Sequence, residues 1–393
     1  MLLANLRLLD GIYAVYGANL LIPIYVPYVM AGGLSVPDVF LLQGIFAATL
    51  FLTEIPTGYL SDRWGRRGTT ILGSALRFAG MLLYFNGSGF WTFAAAEVVS
   101  GIGVSCHSGT LDALTYETLT EGKREGEYRR VCGHQRSLFF GAEALGSVLA
   151  GLLAVFTLRG PVAACLLLTG GGLVLSLLLM EPARHAVREE KNVRDLLRIC
   201  SKSVIHDGRL RGIIALFSVI ATMGLALFWF TQPYQGMIGL PLAFYGLAHA
   251  VIVLAGAIAS RYAHALDRIL SDQLTLLLLA ILMAGSAVGL GFVSSIWGLG
   301  FFLLTRVAWA LVVPVSNDIV NRLTSSGERA TVLSLKAFGQ RALFTLVFPL
   351  LSILTTALTL GQAILLTGVT GGILAGITLF LMRRTWERIP QPA

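Results

Sequence analysis

Twelve stretches of roughly twenty mostly apolar residues follow one another along this chain and leave little room for any other architecture. They cover 8–30, 38–61, 68–86, 91–117, 131–157, 161–181, 210–232, 241–265, 272–293, 296–320, 330–355 and 361–382. Each is long enough to cross a bilayer as a helix, which takes about 20 apolar residues. A transmembrane barrel would instead show strands of about ten residues alternating in polarity. The charged fraction agrees: 13% of the 393 residues are charged, where soluble domains carry about 25%. The expected fold is an all-α membrane protein with twelve transmembrane helices. Asp10 near the start of the first stretch, and Pro23 and Pro27 near its end, suit a retained span better than a cleavable leader. Cys106, Cys132, Cys165 and Cys200 are scattered without metal-like spacing and read as free thiols, so no metal and no cofactor are expected.

The connections alternate in charge. Odd-numbered ones, such as "AGGLSVP" and "NGSG", carry almost no cations, with Arg159 as the exception. Even-numbered ones hold Arg63, Arg66, Arg67, Lys123, Arg124, Arg129, Arg130, Arg261, Arg268, Arg322 and Arg329. Lys and Arg collect on the cytoplasmic side, so both termini and every even loop are expected inside. The net charge of +8 then faces the anionic inner leaflet, and no nucleic-acid partner is expected. The longest connection, 182–209, separates a first bundle (1–181) from a second (210–393). Within it Val193, Leu196, Leu197, Cys200 and Val204 share one side of a helix flanked by Lys and Arg, which predicts an amphipathic helix on the membrane surface.

The two bundles echo each other. "GYLSDRWGRR" from Gly58 has a faded copy, "GAIASRYAHA", 198 residues later at Gly256. "YETLTEGKREGEYRRV" from Tyr116 faces "NDIVNRLTSSGERATV" from Asn317, at an offset of 201. Two echoes at nearly one offset predict two six-helix halves in parallel orientation. In the first copy Gly58 permits close helix approach, Gly65 a tight turn, and Asp62 can accept hydrogen bonds or pair with a cation.

That copy resembles the signature loop of the major facilitator superfamily, roughly G-x-L-x-D-R-x-G-R-R, with Gly58, Leu60, Asp62, Arg63, Gly65, Arg66 and Arg67 in its main positions. "EIPTGYLSDRWGRR" and "SGTLDALTYETL" together resemble a bacterial branch that includes exporters. The resemblance implies a multi-pass protein of the bacterial inner membrane that works as a monomer by alternating access. It makes Gly58, Asp62, Arg63, Gly65, Arg66, Arg67 and Glu117 a cytoplasmic gate. It also places spans one, four, seven and ten around a central cavity, flanked by two, five, eight and eleven. "GAEALGSVLAG" in span five keeps Gly141, Gly146 and Gly151 but lacks the Gly-Pro step of drug-efflux antiporters.

Charges inside a bilayer are costly and mark functional candidates. Counting from the cytoplasm, Glu143 lies about 13 residues into span five, near mid-membrane at 1.5 Å per residue. It is the first choice for a proton-coupling group, against a structural ion pair. Asp112 is the second choice, against a place in the cytoplasmic latch with Glu117. His107 titrates in a useful range, against a packing role. Arg306 and Arg341 can hold an anionic substrate group or neutralise Glu97 or Glu143. Glu97, Trp229, Gln232, Tyr13, Tyr16 and Asn19 complete the candidate substrate site, since mixed aromatic and hydrogen-bonding faces suit an organic ligand. Tyr25, Tyr28 and Tyr234 also fit a membrane-interface position. Arg77 and Glu54 are expected to pair, and Lys336 to snorkel toward the surface.

The sequence has no H-E-x-x-H, no G-x-S-x-G and no phosphate-binding loop, so neither an enzyme nor ATP-driven transport is expected. The leading expectation is a proton-coupled exporter, an antiporter of a small organic molecule such as a drug, metabolite or siderophore. The alternative is a proton-linked uptake symporter or a passive facilitator.

Overall fold

A computed structural model describes residues 2–182, 201, 207–263, 270–325 and 328–386. These form helices α1 (Leu2–Gly17), α2 (Tyr25–Ala31), α3 (Val36–Trp64), α4 (Arg66–Asn86), α5 (Phe90–His107), α6 (Thr110–Glu121), α7 (Tyr128–Phe156) and α8 (Arg159–Leu178). There follow α9 (Gly208–Met237), α10 (Ala243–Arg261), α11 (Asp272–Phe292), α12 (Gly298–Leu323), α13 (Arg329–Ala357) and α14 (Leu360–Trp386). No strand occurs among the described residues. The surface helix expected at 193–204 lies outside them, apart from Ser201.

Short polar caps start several of these apolar rods. Ser35 and Asp38 form a capping box at α3, with the Ser35 N–H donating to Asp38 at 2.8 Å. The Asp207 carboxylate accepts from the Arg209 and Leu210 amides at α9. Each cap satisfies amides that the helix itself leaves without partners.

Among the described residues, eleven helices are long and apolar enough to cross a membrane. The remaining expected span, 91–117, is broken. Ser108 turns extended (φ −60°, ψ 118°) and Gly109 takes φ +73°, so α5 and α6 are separate pieces. A glycine adopts that φ at little cost, which is why the ladder can stop there. The first span is broken too. It begins at Leu2, leaves helix after Gly17, and resumes through a 3-10 turn (Ile22–Ile24) into α2. A Cβ on Gly17 would collide with the backbone of Phe139, so this end of α1 rests directly on α7.

The chain forms two compact units: Met1–Val187 with Pro241–Val251, and Arg188–Leu240 with Ile252–Ala393. Within the first, α4 packs on α5 and α8, and α1 on α7 and α8. Within the second, α11 packs on α12 and α14, and α9 on α13 and α14. Third, fourth and sixth spans thus repeat the partners of ninth, tenth and twelfth. One core cluster of the first unit joins Leu9, Ile12, Tyr13 and Tyr16 to Leu111, Leu114 and Leu179. On α7 the residues Leu145, Leu149, Leu152 and Phe156 form an exposed apolar stripe. Such a stripe suits lipid and would be costly in water.

Candidate functional site

The signature loop is built as a web of charge. Gly65, at φ +112°, makes the turn between α3 and α4. Arg66 reaches Asp62 at 2.7 Å, Glu117 at 3.1 Å and the Ser61 hydroxyl at 2.9 Å. Arg67 donates to the carbonyls of Leu179 and Leu177 at the end of α8. Arg63 donates to the Tyr59 hydroxyl on the exposed side. Two cations at the start of α4 face the positive end of the helix, an unfavourable arrangement. Glu181 offsets it: its carboxylate accepts the Arg66 and Arg67 amides at 2.8 and 2.7 Å. Sequence reasoning missed Glu181, which lies 115 residues from Arg66. Gly58 departs from expectation. A Cβ there would meet no heavy atom within 4 Å, so no close approach depends on it, because it sits on a partly open face of α3.

Away from the signature loop, the first unit holds a fully enclosed acid. Glu97, 4% exposed, accepts from the Tyr25 hydroxyl and from Gln43 at 3.0 Å. The Tyr28 hydroxyl donates to the Tyr84 carbonyl beside this network. These donors are neutral. Tyr25 and Tyr28 are buried hydrogen-bond donors, since a buried hydroxyl seeks an acceptor.

Another part gathers the other candidates. The Tyr13 hydroxyl donates to Asp112 at 2.6 Å, and Arg136 reaches the second carboxylate oxygen at 3.2 Å. Asp112 is thus tied to α1 and α7 and stands apart from the Glu117 latch. His134 lies 3.8 Å from Asp10 in the same region. Tyr16 shares a hydrogen bond with Ser74 at 2.7 Å, which in turn meets Ser176. The His107 ring lies 4.7 Å from Tyr16. Its Nε2 stands 3.0 Å from the Thr70 carbonyl, which assigns that nitrogen the hydrogen. Arg77 does not pair with Glu54. Its guanidinium lies 4.0 Å over the Tyr16 ring, while Glu54 meets Ser108. The aromatic face competes well for a planar cation away from water. Asn19 accepts the Leu21 amide at 3.2 Å, bracing the break in the first span.

Glu143 has a partner that sequence reasoning did not name. His249 on α10, in the part grouped with the first unit, lies 3.6 Å from its carboxylate. Both side chains are mostly buried, at 15% and 9% exposure. Close by, a Cβ on Gly246 would strike the Ser147 carbonyl, so α10 meets α7 backbone to backbone. His249 stands alone in an apolar run, "YGLAHAVI", and that isolation was the available signal.

In the second unit Arg306 lies 4.9 Å over the Trp309 ring. Its stem rests on Gly256, where a Cβ would come within 3.1 Å. Trp229 and Gln232 are buried in α9, with the Trp229 ring against Phe228. Arg341 is half-buried on α13. Tyr234 is fully buried near the end of α9 and donates to the carbonyls of Val293 and Ser295 in the connection between α11 and α12. Arg322 bridges Asp272 at 2.7 Å and Asp318 at 2.9 Å. Lys336 does not snorkel. It is 3% exposed and donates inward to Ser316 and Asn317, because acceptors on α12 lie within its reach.

Comparison with known proteins places this geometry. The Major Facilitator Superfamily family model matches residues 11–342. Tetracycline resistance protein, class C, of Escherichia coli is 25% identical over 226 residues, 53% of this chain and 54% of that protein. The chain therefore spans about half the length of the curated relative it matches. Among solved structures, a mutant of the nucleoside transporter NupG has a TM-score of 0.84 at 8% identity, covering 98% of this chain and all of that one. A D-xylose-proton symporter has a TM-score of 0.73 at 14% identity, covering 99% and 98%. A bacterial homolog of the human lysosomal transporter Spinster, inward-facing and occupied, has 0.76 at 14%, covering 100% and 98%. The fold of these transporters, the charged loop between its second and third spans and the extent of the family match agree: the chain belongs to the major facilitator superfamily and is a membrane transporter, not an enzyme.

Proposed function

We propose that this transporter exports a small organic molecule in exchange for protons, by alternating access about a midplane site. The observation that carries the proposal is the buried pairing of Glu143 with His249. An acid paired with arginine stays an anion throughout a cycle. An acid paired with imidazole can take up or release a proton without leaving a permanent charge unpaired. The likeness to a tetracycline resistance protein supports the outward direction, since a carrier confers resistance by removing the drug from the cell. In this reading Asp112 and His107 serve the inner half of the proton route. Arg306, Arg341, Glu97, Trp229, Gln232, Tyr13, Tyr16 and Asn19 shape or support the substrate site. The loop from Gly58 to Arg67, with Glu117, latches the cytoplasmic side. The halves 1–181 and 210–393 work as one monomer in a bacterial inner membrane, with both termini cytoplasmic.

The test is proton movement across proteoliposomes under an imposed pH gradient. Lipophilic cations and tetracycline are added first, then neutral sugars and polycarboxylates. Proton release triggered by one class, and lost in Glu143→Gln and His249→Ala, is the expected result. Co-movement of substrate and proton in the same direction would replace export by uptake symport. Substrate flux without proton movement would leave the Glu143–His249 pair a structural contact.

A further inference from the structure

Lys336 is a buried side chain whose surroundings contain acceptors but no acid. Its Nζ donates to the Ser316 hydroxyl at 2.8 Å and to the Asn317 side-chain carbonyl oxygen. The Phe217 ring lies 3.9 Å from it. Ser316 spends its own hydrogen on the Val313 carbonyl at 3.1 Å, so its oxygen is free to accept. Two oxygens and a π face therefore surround Nζ, and the oxygens can take N–H bonds from the ammonium or from the neutral amine. Yet at 3% exposure no carboxylate lies within ion-pair distance of it among the described residues.

Among the described residues, the helices packed against α13 place no counter-charge within ion-pair distance of Lys336. On α9 the residue facing Lys336 is Phe217, and Arg209 and Arg211 sit at the far start of that helix beside Asp207. On α12 the acid Asp318 is engaged by Arg322, which also holds Asp272. The described apolar stretch of α14 carries no titratable side chain before Arg383. On α13 itself the charged residues are Arg329, bonded to the Asn321 and Thr324 carbonyls, and Arg341.

A buried charge without a partner is expensive, and shedding the proton removes that expense. An anion needs space to relieve such a site, whereas a proton needs none. We infer that Lys336 is a proton-exchanging group of the second unit, resting on the proton-coupled reading of the transporter. Enclosure without a counter-charge favours the neutral amine, whose N–H groups keep both oxygen partners. When its site opens to water on one side, the amine takes one proton from that water and becomes the ammonium. When the site encloses again and turns to the opposite side, the ammonium gives one proton to water there, so each cycle returns the group to its starting form.

The test counts protons. Purified protein in lipid nanodiscs is stepped between mildly acid and mildly alkaline unbuffered solution, and released protons are read with a pH indicator. Wild type is expected to release about one proton more per chain than Lys336→Met, and Lys336→Arg to match Lys336→Met. Equal counts in all three overturn the inference. A second measurement does not touch Lys336. The chain has four lysines, and Lys123, Lys191 and Lys202 lie outside the apolar spans. With 15N-lysine labelling and Lys→Arg replacements at those three positions, the remaining side-chain NMR signal is that of Lys336. It is expected to change protonation over the range in which the proton count differs; a signal that stays ammonium throughout that range overturns the inference. Glu143→Gln keeps the Lys336 contribution to the count. A failed Glu143 transport test together with an intact Lys336 count therefore sinks only the exporter reading.

Discussion

The two units close their charged ends with the same kind of bridge and opposite signs. In the first, the third span starts with the cation, Arg66, and the fourth carries the acid, Glu117. In the second, the ninth span starts with the acid, Asp272, and the tenth carries the cation, Arg322. Each arginine also takes an acid four residues away on its own side of the chain, Asp62 or Asp318. The signs matter because a helix N-terminus prefers negative charge. Asp272 satisfies that preference and is 4% exposed, while Arg66 and Arg67 oppose it and require Glu181 from elsewhere. A repeat can thus preserve a bridge while losing the residues that announced it.

The contrast can be broken at its buried end first. Asp272→Asn leaves Arg322 largely enclosed beside a neutral partner, and breaking a buried pair costs about 3 kcal/mol. The thermal midpoint of the purified protein is expected to fall accordingly, and adding Arg322→Met is expected to restore most of it. An unchanged midpoint in the single variant would make the two bridges equivalent. Next, Glu181→Gln removes an ionised acceptor from two amides, a loss of about 1–2 kcal/mol. Its counterpart Ser271→Ala, which removes a single 3.4 Å cap bond, is expected to cost under about 1 kcal/mol. If Ser271→Ala costs more, the first unit has no special need of its borrowed cap. Glu117→Gln removes a half-exposed bridge and is expected to cost about 0.5 kcal/mol in the same melting experiment. Smallest is Asp62→Asn, at about 0.3 kcal/mol, because Asp62 is 66% exposed. A larger drop there would reveal a partner for Asp62 beyond Arg66.

What could be read from the sequence followed how local each signal was. The spans come from hydropathy within about twenty residues, and they match the helices apart from breaks in the first and fourth. Those breaks depend on single backbone angles, such as that of Gly109, in a "SG" pair no different in sequence from Ser100 and Gly101, through which α5 runs unbroken. Glu143 stood out as an acid in an apolar run, but His249 lies over a hundred residues away, and one sequence contains no information about that contact. Lys336 was misjudged because depth along a helix says nothing of which way the side chain turns. Ser316 and Asn317 decide that, and they belong to another helix. The acceptors of Tyr25, Tyr28 and Tyr234 were hidden for the same reason: residue preference says nothing of which distant group a hydroxyl will meet.

The interruption at Ser108 and Gly109 has a mechanical side. It leaves α5 as a rod of 18 residues, about 27 Å long at 1.5 Å per residue. The rod is held at both ends, by Gly109 and by the short link from α4, and along its length by α3 and α4. The joint itself needs only one residue to alter two torsions, and Gly109 has open space where a Cβ would sit. A change of direction there would have to carry α3 and α4 along with α5, while Asp112 beyond the joint stays tied to α1 and α7.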